Sequence, residues 1–154
     1  WRRAEETSPM ILAKSCHDMD ILRWLADAPC ESLSSVGGLS VFTGKNAPTG
    51  AADRCLHCVI ERSCPYSARR IYLENEKTGV LHGNTDWPCS VLDDHPTEQS
   101  ITRALAEGPY GRCVYACDND VADHQCVSMA FENGVCATFT VTAWVRWANW
   151  KSTC

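Results

Sequence analysis

Several absences bound the reading of this 154-residue chain. No apolar run is long enough to span a bilayer. Basic residues do not dominate: 14 Lys and Arg stand against 19 Asp and Glu, a net charge of -5. That balance gives no electrostatic reason to expect nucleic acid or an anionic membrane as a main partner. No Asn-x-Ser/Thr sequon occurs, and there is no internal repeat or low-complexity segment. G-x-G-x-x-G, G-x-S-x-G and H-E-x-x-H are all missing. "GLSVFTGKN" approaches a phosphate loop, but Gly38 and Gly44 stand one residue too far apart, and Asn46 replaces the required Ser or Thr. An initiator methionine is missing too. The start "WRRAEETSP" is neither a signal peptide nor a tag, so the chain reads as a piece of a longer protein and says nothing about a leader.

What remains suits one domain with a real core, since 45% of residues are hydrophobic. Eleven cysteines are an odd and large number. They fit either a secreted, disulfide-stapled domain or an intracellular protein with free thiols and a metal. The missing sequon and the size of the apolar fraction favour the second, with cytoplasmic localisation.

The local patterns predict a mixed α+β chain, with a few antiparallel strands and helices on one face. Ser8 caps a helix with Pro9 at its first position, ending near Ala26. Leu12, Cys16, Met19 and Leu22 form its apolar face, and Lys14, His17, Asp18 and Ile21 another. Glu31 to Phe42 reads as a strand with a glycine break, and Thr43 to Asp53 as loop. "PYSARRIYL" predicts a short helix, Glu74 to Pro88 is irregular, and "HPTEQSITRALAEGP" predicts a second helix opened by Pro96 and stopped at Gly108. Two β-rich runs flank Asn133-Gly134, the pair that a tight type I′ turn prefers. Trp144, Trp147 and Trp150 are spaced every third residue in an atypical tail, 144–154.

Three constellations carry chemistry. A histidine and a lysine on one helical face, His17 and Lys14, can move a proton and hold an oxyanion. The plain alternative is a surface Lys14–Asp18 pair beside a packed imidazole. "CLHCVIERSC" spaces Cys55, Cys58 and Cys64 as C-x2-C-x5-C around His57. Two thiolates two residues apart are half of a tetrahedral zinc site. Cys16, Cys113 or Cys117 would complete it, and the alternative is buried thiols packed as small hydrophobes. "CDNDVADH" gathers Asp118, Asp120, Asp123 and His124 ahead of a strand, either at a site or in a solvated Asx-rich turn.

Four segments, "SPMILAKSCHDMDILRWL", "RCLHCVIERSCPYSARRIYL", "GPYGRCVYACDNDVADHQ" and "FENGVCATFTVTA", together resemble the C-terminal domain of the glucose–fructose oxidoreductase/inositol dehydrogenase (Gfo/Idh/MocA) family, over residues 1–143. The resemblance implies a substrate-binding and dimerisation domain, whose antiparallel sheet makes a homo-oligomer and whose first helix faces the active site. His17 matches the family's histidine, which exchanges a proton with a sugar or polyol hydroxyl while hydride moves to or from the nicotinamide. On the same helical face Lys14 is expected to be catalytic with His17, and Asp18, with Asp120 and His124 of the Asp-rich loop, is expected to bind the small-molecule substrate. Ala13 stands where many members carry an aspartate, which departs from the family's sugar and polyol chemistry. NAD or NADP belongs to the Rossmann domain of the full-length parent, which this chain lacks. The family's further strands are not recognisable after "FTVTA", so the sheet is expected to be incomplete at that end and the isolated fragment marginally stable or prone to aggregate. A non-catalytic, zinc-clipped interaction module on the same fold is the competing expectation.

Overall fold

The computed structural model describes residues 3–144. They form a mixed α+β structure of two compact units, one built from residues 3–43 and 118–144, the other from Gly44–Cys117. The tail expected to carry Trp147 and Trp150 lies outside the described residues. No helix among the described residues is long and apolar enough to cross a membrane.

In the first unit the expected single helix is two: α1, Met10–Ala13, and α2, Cys16–Ala26. Pro9, not Ser8, occupies the cap of α1, and no side chain caps it. The break falls at Lys14, which leaves helical geometry at φ -122°, and at Ser15, which is buried. The break shifts the phase of the apolar stripe. Ile11, Met19, Leu22 and Ala26 turn inward, while Leu12 and Cys16 are exposed, contrary to the sequence expectation. α2 does end at Ala26, where Asp27 adopts a left-handed conformation and its N–H donates to the Trp24 carbonyl.

The helices cover one face of a three-stranded antiparallel sheet of β1, Cys30–Gly38, β2, His124–Phe131, and β3, Cys136–Thr142, in the order β1-β2-β3. Side chains alternate between faces along a strand. Val127, Met129 and Phe131 of β2 therefore point into the core with Ala26 and Ala28. The opposite face is exposed and carries Ser34, Ser128 and Thr138 in one cross-strand row and Val36, Cys126 and Thr140 in another.

The β2–β3 hairpin forms where Asn133-Gly134 places it, but not through a type I′ turn. Only Gly134 has a positive φ, 83°, and its N–H donates to the Phe131 carbonyl. This is a type I turn closed by a left-handed glycine. Asn133 is kept out of the left-handed region, and its side chain donates instead to the Ala26 carbonyl at 2.7 Å, tying the hairpin to the end of α2.

The second unit is built around α3, Glu98–Glu107, which buries Ile101 and Leu105 against Ala68, Leu73 and Cys89. "PYSARRIYL" does wind into helix, as a wide turn over Arg70–Glu74 in which the Asn75 N–H reaches back to the Arg70 carbonyl. Thr97 and Ser100 cap α3 reciprocally: each side chain accepts from the other's backbone N–H. Thr97→Ala is expected to cost about 1 kcal/mol, read as a lower urea midpoint at unchanged slope. At the other end the Arg54 guanidinium donates to the carbonyls of Leu105, Glu107 and Gly108, placing a cation on the negative end of the helix.

Candidate functional site

Two places concentrate chemistry, one in each unit. In the first unit, His17 and Asp18 lie in the first turn of α2, and both are exposed. Lys14 is exposed as well, but the break removes it from the continuous helix that would set it one turn before Asp18. The shared Lys14/His17/Asp18 face read from the sequence is corrected accordingly: only His17 and Asp18 share α2.

The Asp-rich loop divides its members. Asp118 pairs with Arg3 at 3.3 Å, and Asp120 accepts the Ala4 N–H at 2.8 Å, so both engage the N-terminal segment. Asp123 does more than its neighbours. Its side chain is 3% exposed and accepts backbone N–H bonds from Val41 at 2.6 Å, Phe42 at 2.9 Å and Ser40 at 3.1 Å. A fourth contact joins it to Nδ1 of His124 at 2.9 Å, and the Ser40 hydroxyl lies 3.3 Å from the same nitrogen. Burial pushes the Asp123 carboxyl up, but the bonds from His124, Phe42, Ser40 and Val41 outweigh it and hold the group at about 2. An ionised carboxylate accepts only, so Nδ1 of His124 carries the hydrogen and Nε2 is left as the basic nitrogen.

This also explains why β1 stops at Gly38 although the sequence favours a strand to Phe42: the next N–H groups turn onto Asp123. The sequence groups Asp123 with Asp118, Asp120 and His124 but does not mark it as the residue that organises the loop. Its backbone partners lie 81 to 83 residues earlier, and nothing local announces them.

In the second unit, Cys55, Cys58, Cys64 and Cys113 line one cavity of about 20 Å³, walled further by Tyr66 and Tyr115. Cys55 opens a short 3-10 turn, and the Cys58 N–H donates to its carbonyl at 3.2 Å. Cys113 arrives through the antiparallel bridge Arg54↔Arg112, with its own N–H on the Asp53 carbonyl at 2.7 Å. Burial pushes the Cys55 thiol up, opposed by a hydrogen bond from the Ala68 backbone; Cys64 is raised by burial in the same way and opposed by the Tyr66 backbone. Among the described residues no three His, Cys, Asp or Glu side chains converge closely enough to hold a metal as they stand. His57, between the first two cysteines, is exposed and does not line the cavity; nor does Cys117.

All strand pairing in the sheet is antiparallel. The chain matches no family model, no curated protein and no solved structure.

Proposed function

We propose that this chain is the substrate-binding and subunit-contact half of an NAD(P)-dependent oxidoreductase of the Gfo/Idh/MocA type, acting on a sugar, polyol or related hydroxyl compound. The observation that carries the reading is the placement of α2. It lies on one face of an antiparallel sheet, with His17 exposed in its first turn and free of any packing duty in the core. Such an imidazole is available to accept the proton of a substrate hydroxyl and to return it in the reverse reaction. Lys14 and Asp18, exposed nearby in sequence, would contact other polar groups of the substrate.

The other face of the sheet supports the second half of the proposal. Its rows of serine, threonine, cysteine and valine side chains leave an open, shallow surface against which a second copy could lie. The dinucleotide would be held by a separate Rossmann domain, and no step through it is drawn from these residues.

The test is the transcript upstream of Trp1. An open frame continuing into a strand, a G-x-G-x-x-G loop and a helix is the expected result. A start codon just before Trp1 would leave His17 without a hydride partner and would favour the non-catalytic module.

A further inference from the structure

We infer that Cys55, Cys58, Cys64 and Cys113 form a closed, structural zinc site in the second unit, with Cys113 as the fourth ligand. This inference does not rest on the oxidoreductase reading.

The geometry carries it in two steps. First, the four cysteines share one small cavity, although Cys113 lies 49 positions after Cys64 in the chain. The convergence is made by the backbone: Arg54 and Arg112 pair across the bridge, so Cys55 and Cys113 each follow a bridge partner. Arg54 is in turn fixed to the end of α3, which anchors that wall. Second, the size suits an ion. A cavity near 20 Å³ admits about one water-sized sphere, and a tetrahedral zinc with sulfur at about 2.3 Å needs little more.

The side chains line the wall as thiols; no three of them converge on one point as they stand, so binding would have to draw them in from the wall. Each then gives up its proton to solvent, so four protons leave as one Zn²⁺ enters. The cation supplies the charge that makes thiolates favourable in a half-buried place. Four sulfur ligands leave no open position for water, so the ion clips Asp53–Tyr66 to the segment around Cys113 and takes no part in chemistry.

The experiment is metal analysis on the full chain purified without chelator, paired with variants. About one zinc per chain is expected. Cys113→Ser and Cys58→Ser should bring it near zero, while Cys136→Ser, on β3 in the other unit, should keep it. Should a variant fail to fold, cobalt added to the metal-free wild-type chain gives a second readout: intense sulfur-to-cobalt charge transfer with tetrahedral visible bands. Chelation should lower the melting temperature. Zinc-free, folded protein whose melting ignores chelator would overturn the site, as would full zinc content in Cys113→Ser or a cobalt spectrum without tetrahedral thiolate bands.

Discussion

On the proposed oxidoreductase reading, His17→Ala is expected to lower kcat of the full-length protein by a factor of about 10² to 10⁴, the usual worth of a positioned general acid or base. The stability of the unit that carries it should stay within about 0.5 kcal/mol, because an exposed side chain outside the core has little packing to lose. The combination matters more than either number. Steady-state kinetics and a melting curve on the same preparation read both. A rate within threefold of wild type would make His17 an ordinary surface residue on the rim of α2. A large drop in melting temperature would mean that the imidazole supports the fold, and the loss of rate would then carry no mechanistic weight.

Asp123→Ala is expected to act in the opposite way, on stability first. The substitution removes the acceptor for three backbone N–H groups and for His124 at a buried position. Breaking a buried charged network from one side costs about 3–5 kcal/mol. That is a large share of the 5–15 kcal/mol that typically holds a domain together, so urea denaturation should show a much lower midpoint. Asp123→Asn keeps one carbonyl acceptor and should fall between. A loss below about 1 kcal/mol for the alanine variant would contradict the network.

The same group sets an acid limit. Its carboxyl sits at about 2 in the folded chain against 3.8 unperturbed. A depressed folded value means stabilisation that is present above the unfolded value and is lost as pH falls through the folded one. The contribution is roughly 2 kcal/mol, complete above about pH 5 and gone below about 2. Stability measured from pH 6 down to 2 should fall less steeply in Asp123→Ala than in wild type. Parallel profiles would remove the carboxylate from the account.

The parts of the fold that sequence made legible are those written by local chemistry. α3 follows from the periodic Ile101 and Leu105 and the stop at Gly108, although Pro96, read as part of its first turn, lies before the Thr97 cap. The hairpin follows from Asn133-Gly134 between β-rich runs, and β2 shows the alternation expected of a half-buried strand. What escaped depends on distant partners. The break at Lys14–Ser15 accompanies burial of Ser15, which no local pattern marks. The turn type was decided by the bond from Asn133 to Ala26, and the early end of β1 by Asp123. The candidate sites divide along the same line. Cys55, Cys58 and Cys64 are conspicuous by spacing, but choosing among Cys16, Cys113 and Cys117 required the bridge at Arg112. Asp123 stood in view among several acids, and only its contacts separate it from Asp118 and Asp120.

The central proposal concerns an enzyme that works with a nicotinamide cofactor, and its most direct test is cofactor binding by the full-length protein. Reduced nicotinamide fluorescence should change saturably on addition of that protein. NAD or NADP should then be reduced when a sugar or polyol of the right shape is supplied, with the rate falling in His17→Ala. Full-length protein that is folded yet binds neither NADH nor NADPH would contradict the account, whatever substrate were offered.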